Sequence, residues 1–296
     1  MRAPRVVVLG DLIYDLLASI EGPVVFGTDT FAPIRAVAGG SGANAAAWLA
    51  SLGIRPDFVG RIGDDVIGEA LAAELKEVGV TPHLARDFSL GTGKVFVLVD
   101  GAGERTMITD RGAGDSLGPE DLPPALFDGG HLHVSGYTFS GESRREAALK
   151  AIRLARAAGM SVSVDPSSVS LLEAAGPEHF LGWTRGADLC FPNLKEGALL
   201  GGERDPDRAA QRMLDHYSGV VLKLGAAGAL YMDADGERVR LPAEPVRVED
   251  TTGAGDALCA GFLAAWLSGD PAGEALQRGV EVAARAVERV GARPEG

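Results

Sequence analysis

The sequence predicts an α/β fold with a mostly parallel central sheet covered by helices on both faces. Three observations carry this reading. Short apolar runs alternate with helical patterns along the 296 residues, the signature of buried strands joined by helical crossovers. The 41 glycines gather at turn-like positions between those runs and form no repeat. The hydrophobic content of 46% is ample for one large α/β core or two small ones. No stretch has the composition of a linker, and Pro119–Pro124 reads as a loop, so residues 1–296 are expected to form a single domain.

Taken in order, Arg5–Leu9 is a short apolar run and reads as a first buried strand. Gly42–Leu52, rich in alanine, reads as a helix, and Gly68–Val78 as an amphipathic one. Val95–Val99, His131–Ser135, Ser161–Asp165, Leu189–Phe191 and Val220–Leu224 read as further strands. Between and after them, Ser143–Ala158, Asp207–Tyr217, Asp256–Leu267 and Gly273–Val290 carry helical patterns. Two stretches, about 12–38 and 92–110, break the rhythm, with strand-like pieces at Leu16–Ile20 and Lys94–Val99 and no good helix between them. The pattern leaves two readings open: a small antiparallel sheet outside the main one, acting as a lid, or ordinary surface hairpins.

A net charge of −13 argues against nucleic acid and against anionic membrane surfaces as partners. It does not argue against a nucleotide, because local N–H groups outweigh the global field at contact distance. Cys190 and Cys259 lie far apart, without metal-ligand spacing and among apolar neighbours, and read as buried free thiols. The opening Met1–Arg5 leads straight into the first strand, too short an apolar run for a signal peptide, and no stretch reaches the roughly 18 apolar residues of a membrane span. A cytoplasmic protein is expected.

The most informative stretch is Glu249–Phe262, in which Gly253-Ala254-Gly255 opens a helix of small and apolar residues. Unpaired N–H groups and the helix dipole make such a turn an anion site. A carboxylate there, Asp256, repels a bound phosphate unless it has a task such as taking a proton from an attacking hydroxyl. On its own the aspartate reads equally well as a helix N-cap. Ala38–Ala47 is a second glycine-rich turn before a helix, without the lysine of a Walker loop or the spacing of a dinucleotide fingerprint. Within it Asn44 offers donors and an acceptor suited to a sugar hydroxyl, or a local cap. Asp11 ends the first strand, where a carboxylate can accept from two vicinal hydroxyls, and Asp15 follows. Asn193 and Glu196 fall on one face of a helix start, which suits Mg²⁺ through water and equally a capping box. Val220–Ala229 reads as a strand, a glycine turn and a return strand carrying Lys223.

Together these segments resemble the ribokinase-like PfkB carbohydrate kinase family, in the family's order and over nearly the whole chain. Ala38–Ala47 with Gly60–Gly68 resembles its N-terminal signature, Asp250–Gly261 its C-terminal signature, and Asn193–Glu196 the Asn-x-x-Glu motif between them. The resemblance implies a three-layer α/β/α sandwich with a β lid, transferring the γ-phosphoryl group of ATP to a primary hydroxyl of a small sugar. Carried over residue by residue, Asp256 is the catalytic base and Gly253, Ala254 and Gly255 form the anion hole. Asp11, Gly39, Gly40 and Asn44 hold substrate hydroxyls, and Asn193 and Glu196 help place Mg²⁺. Lys223, Gly225 and Gly228 line the nucleotide side, with adenine near Val282, Ala283 and Ala286. The same resemblance implies a homodimer through the lid and activation by K⁺, with Asp250 and Thr252 beside the anion loop.

The departures concern the substrate. Asp165-Pro166-Ser167-Ser168 stands where many sugar-kinase relatives carry Asp-Pro-Asn and then Arg. In Gly103–Gly114, ribokinases usually have Asn at the position of Gly114. Arg105 or Arg111 could meet an acidic sugar such as 2-keto-3-deoxygluconate, or be lid surface charges. Ribose, fructose, a keto-deoxy acid and a nucleoside stay open. A nucleoside kinase would need an apolar or aromatic sandwich for the base, with Phe26, Phe31 and Phe96 as candidates. A catalytically silent sugar or nucleotide sensor would be expected to have lost the acid at 256 first. A dehydrogenase is disfavoured, since Gly10–Ile13 carries no dinucleotide fingerprint.

Overall fold

The computed structural model describes residues 5–101 and 105–294. Met1–Pro4, and Gly103 and Glu104 of the Gly103–Gly114 segment, lie outside the described residues. The chain runs β1 Val6–Leu9, β2 Ile13–Ser19, β3 Ile34–Gly39, α1 Ser41–Ser51, β4 Pro56–Gly63, α2 Val66–Glu77, β5 Thr81–Asp87, β6 Thr92–Val99 and β7 Arg105–Gly112. It continues with β8 His131–Ser135, α3 Glu142–Ala157, β9 Ser161–Asp165, α4 Val169–Ala175, α5 Pro177–Trp183, β10 Leu189–Cys190, α6 Leu194–Gly201 and α7 Pro206–Met213. The remainder is β11 Gly219–Lys223, β12 Ala229–Asp233, β13 Arg238–Leu241, α8 Ala254–Trp266 and α9 Ala272–Val287.

Nine strands form the main sheet in the order β13-β12-β11-β10-β9-β8-β1-β4-β5. Seven of them are parallel, and β12 and β13 add an antiparallel margin through the turn after Lys223. The alternation within β1 sets the layers. Val6 and Val8 pack with apolar residues of α1, α2, α8 and α9, whereas Val7 and Leu9 pack with α3 to α7. Both faces are therefore covered, as the near-continuous apolar strands require. Cys190 and Cys259 are free and buried.

Strands β4 and β5 escape pattern recognition for identifiable reasons. β4 begins at Pro56 and carries Asp57 and Arg61, while β5 is a half-exposed edge with Pro82, His83 and Arg86. An edge strand tolerates proline and charge because one side faces solvent.

The two rhythm-breaking stretches supply a second sheet, β3-β2-β6-β7. It is mixed, which corrects the expectation of an antiparallel sheet: β2–β3 and β6–β7 are antiparallel hairpins, but β2 and β6 pair in parallel. The reason lies in the main sheet. β2 continues outward from the end of β1 and β6 from the end of β5, and β1 and β5 point the same way.

Candidate active site

Where the parallel strands end, a cavity of about 890 Å³ opens between the main sheet and the inner face of the small sheet. Asp11 after β1, Tyr137 after β8, Asp165 and Ser167 at the end of β9, Asn193 after β10 and Lys223 at the end of β11 all line it. The starts of α1 and α8 close it, and Val95, Val97, Met107, Thr109 and Arg111 of the small sheet cover it. This is the expected ligand position of a parallel sheet, beyond its carboxyl ends.

Helix α8 opens at Gly253, whose φ of 73° lies in the left-handed region. A Cβ there would stand 2.5 Å from the carbonyl oxygen of Ala292, so glycine is required both for the turn and for the close approach. Gly253, Ala254, Gly255 and Asp256 border the cavity together. The Asp256 carboxylate is held from α1: the Ser41 hydroxyl donates to Oδ1 at 2.8 Å and the Asn44 amide to Oδ2 at 3.0 Å. Burial, reinforced by the charge of Asp165, pushes the Asp256 carboxyl up to about 7, against the hydrogen bonds from Asn44 and Ser41 and the charge of Lys223. The arrangement is a carboxylate poised to take or give a proton near neutrality.

Asn44 is fixed by a residue that pattern reading did not single out. The buried guanidinium of Arg293 donates through Nε to Asn44 Oδ1 at 3.2 Å, through Nη2 to the Gly39 carbonyl at 2.8 Å and through Nη1 to Glu74 at 3.0 Å. Only its remoteness in sequence hid it. Asp11 directs a buried Oδ1 without any hydrogen-bond partner, and its Oδ2 lies 3.5 Å from Arg111. An unpartnered buried acceptor beside a cavity fits a hydroxyl donor from a ligand. The Arg111 guanidinium stacks over the Tyr137 ring at 4.5 Å. Burial and the charge of Asp11 push the Asp15 carboxyl up to about 6, against the charges of Arg293 and Arg105. Gly40, with φ of 96°, passes so close to Asp11 that a Cβ would stand 2.3 Å from its carbonyl oxygen, and a Cβ on Gly39 would collide with the Asp15 carboxylate. These two glycines thus seat the carboxylates at this end of the cavity.

At the other end Lys223 Nζ makes a 2.6 Å ion pair with Asp165 and lies beside Gly255, whose Cβ would stand 3.2 Å from it. Burial pulls the ammonium down, but the charges of Asp165 and Glu196 outweigh it and raise its proton affinity. Asp165 also accepts from the Ser167 backbone at 2.9 Å, and Ser167 is the one described non-glycine residue with positive φ. Asn193 and Glu196 form a complete capping box on α6: Asn193 Oδ1 accepts from the Lys195 and Glu196 amides, and Glu196 Oε2 accepts from the Asn193 amide at 2.8 Å. Both nevertheless line the cavity, and burial raises the Glu196 carboxyl. Among the described residues no group of three or more His, Cys, Asp or Glu is placed to hold a metal. The donor set therefore fits Mg²⁺ held mainly by phosphate oxygens and water, with Glu196 and Asn193 outside them.

Gly225, Gly228 and Ala283 line the cavity. Val282 and Ala286 do not; they are buried in the core, because the helical period puts Val280, Ala283, Ala284 and Val287 on the cavity side of α9. The segment Ala243–Val248, without helical or strand pattern, adds lining residues that sequence reading missed. The aromatic candidates are not brought in. Phe26 and Phe31 are more than nine-tenths exposed, and Phe96 points to the outer face of the small sheet. Arg105 is engaged with Thr252 Oγ1 and Asp250 Oδ1 and is not among the cavity-lining residues, whereas Arg111 is.

Residues 3–295 match the pfkB family of carbohydrate kinases. The chain is 30% identical over 292 residues to the ATP-dependent ribose-1-phosphate kinase of Halopiger xanaduensis, covering 98% of this chain and 94% of that one. It is 33% identical over 271 residues to a fructokinase of Klebsiella pneumoniae, covering 88% and 83%. The crystal structure of aminoimidazole riboside kinase from Salmonella enterica, complexed with aminoimidazole riboside and an ATP analog, superposes with a TM-score of 0.82 at 28% identity, covering 97% of this chain and 95% of that one. This chain belongs to the pfkB family of carbohydrate kinases, has the ribokinase-like fold, and is a phosphotransferase with an alcohol group as acceptor.

Proposed function

We propose that the protein transfers the γ-phosphoryl group of ATP to a primary hydroxyl of a small sugar, with Asp256 as general base. The observation that carries the reading is the carboxylate at the first turn of α8, beside the Gly253–Gly255 turn and fixed by Ser41 and Asn44. The acceptor hydroxyl gives its proton to Asp256 as its oxygen bonds to the γ-phosphorus and the bond from that phosphorus to the bridging oxygen breaks, releasing ADP. The N–H groups of residues 253–255 and the Lys223 ammonium offset the charge on the transferring group. Asp11 and Asn44 orient the other hydroxyls, Gly225, Gly228 and Ala283 contact the nucleotide, and the small sheet excludes water. Mg²⁺, when bound with ATP, neutralises phosphate charge, and Glu196 and Asn193 would reach it through water.

A nucleoside acceptor is the second reading, favoured by the relative that carries an aminoimidazole riboside. Against it, among the described residues the inner face of the small sheet offers Val95, Val97, Met107 and Thr109 but no aromatic ring, and Tyr137 is the one aromatic in the lining. For K⁺, Asp250 is already engaged with Arg105, Thr252 and Gly291, so activation is a matter for assay. A homodimer through the lid is supported by its outer face, where Ile34, Phe96 and Ile108 are about half exposed or more, and by the outer edges of β3 and β7, which have no further strand beside them among the described residues. No helix among the described residues is long and apolar enough to cross a membrane.

The test is a coupled ADP-release assay with Mg-ATP over ribose, fructose, 2-keto-3-deoxygluconate, tagatose-6-phosphate, adenosine, cytidine and inosine, each with and without K⁺. Turnover on one sugar, abolished by Asp256→Asn, is the expected result. Turnover on nucleosides alone would replace the sugar reading. Silence on every acceptor by folded, ATP-binding protein would support a sensor.

A further inference from the structure

Strand β7 projects from the body like a lever. Its Gly112 end is the root, where Thr92 pairs with Gly112, and its Arg105 end is the far tip, where Val99 pairs with Arg105. Eight residues of strand at about 3.3 Å each put the tip roughly 23 Å from the root. Strand alternation sends Arg105 to the same side as Met107, Thr109 and Arg111, all three of which line the cavity. The tip thus reaches back toward the body across the cavity mouth, and its guanidinium lands on Asp250 and Thr252.

Those two residues immediately precede the Gly253 turn. Asp250 is nearly buried, with a side chain 5% exposed. Its Oδ1 accepts from the Thr252 amide at 2.8 Å and the Thr252 hydroxyl at 2.5 Å, and its Oδ2 accepts from the Gly291 amide at 3.0 Å. One carboxylate therefore ties together the start of the anion loop, segment 291 and the lid tip. Arg111 to Asp11, Thr92 to Asp65 and Gly63, and the Gly39 carbonyl to Arg293 link the small sheet to the body near the root. A planar two-pronged cation on a buried acid and its neighbouring hydroxyl fixes orientation as well as distance.

We propose that Arg105 is a positioning residue that latches the lid tip to the anion loop, so that closing the lid sets the geometry of the phosphoryl-transfer site. The proposal rests on the kinase reading above and extends it. The acceptor is not its ligand: the guanidinium engages protein groups on the loop. When the lid lifts, Asp250 and Thr252 lose the fork, and the segment leading into the Gly253–Gly255 turn loses its tie to the small sheet.

The test compares Arg105→Met, Arg105→Lys, Asp250→Asn and the double variant Arg105→Met/Asp250→Asn with the unaltered protein. Steady-state kinetics are read beside amide hydrogen exchange of the segments 105–112 and 250–255. Arg105→Met is expected to lower kcat about 10–100-fold with the acceptor KM within threefold, and to raise exchange in both segments. Arg105→Lys recovers part of the loss as a point charge without the fork, and the double variant is no worse than the poorer single one, because both remove the same link. A tenfold or greater rise in acceptor KM at unchanged kcat would assign Arg105 to the substrate and overturn the latch. So would additive losses in the double variant, or an exchange increase confined to 105–112. If the unaltered protein turns over no acceptor, the kinase reading fails by itself. Hydrogen exchange then still decides the latch: loosening of 250–255 in Arg105→Met sustains it, and its absence overturns it.

Discussion

Replacing Asp256 by asparagine should disable the enzyme and stabilise the fold, and the stabilisation should depend on pH. The carboxyl is raised from an ordinary 3.8 to about 7 in the folded protein. The folded state therefore binds the proton more tightly than the unfolded state. Between about pH 4 and pH 7 the stability of the unaltered protein falls as pH rises, and above pH 7 the whole penalty is present. The full value corresponds to about 4 kcal/mol, at 1.36 kcal/mol per tenfold in proton affinity. Solvent at the cavity reduces it, and about 2 kcal/mol is the expected magnitude. Asparagine mimics the protonated acid, keeping one acceptor for Ser41 or Asn44 while removing the charge. Asp256→Asn should melt roughly 3–6 °C higher than the unaltered protein at pH 8, with the difference shrinking to less than half of that at pH 5 and vanishing only below about pH 4. In the same preparation kcat should fall about 10²–10⁴-fold. Differential scanning fluorimetry from pH 5 to pH 8 reads the first effect and the coupled assay the second. A melting difference that is constant with pH, or largest at pH 5, would refute the argument that burial and the Asp165 charge strain this carboxylate.

The same titration should shape the rate: kcat/KM for the acceptor should rise about tenfold per pH unit below 7 and level off above it, and a flat profile from pH 5 to pH 8 would remove Asp256 as base. Lys223→Met leaves Asp165 and Glu196 facing each other without their shared cation, so urea denaturation should show a loss of about 3–5 kcal/mol. Gly253→Ala forces a methyl into the Ala292 carbonyl at a φ of 73°, which should cost about 1–3 kcal/mol and displace the loop, seen as lower kcat beside a reduced Tm. Ile108→Glu puts a charge on the outer face of the lid, and sedimentation should show the species of twice the chain mass giving way to one of single chain mass.

What the sequence made legible follows from range. The glycine turn at 253–255, the small-residue helix after it and the Asp11 strand end are local, and each residue type states its own reason. The parallel pairing of β2 with β6 was not legible, since it depends on two strands leaving the main sheet in the same direction from far-apart positions. Val282 and Ala286 carry the right size for an adenine wall but stand on the wrong side of α9, and only the packing of that helix on α8 fixes which side is which. Arg293 and Arg105 have no motif at all. Their roles come from what they meet, 249 residues away at Asn44 in one case and 145 residues away at Asp250 in the other.

The buried arm of Arg293 also orders events in time. Asn44 cannot hold Asp256 in its present attitude until Arg293 holds Asn44, and the Trp48 indole of the same helix donates to the Ala292 carbonyl at 2.9 Å. A chain emerging from the ribosome at about 5–20 residues per second can shape its first strands early. The carboxylate proposed as the base reaches its full set of contacts only after residue 293 has been made and packed against Asn44 of α1. Until then the nascent protein can be compact while the Asn44–Asp256 pair lacks its buttress from Arg293.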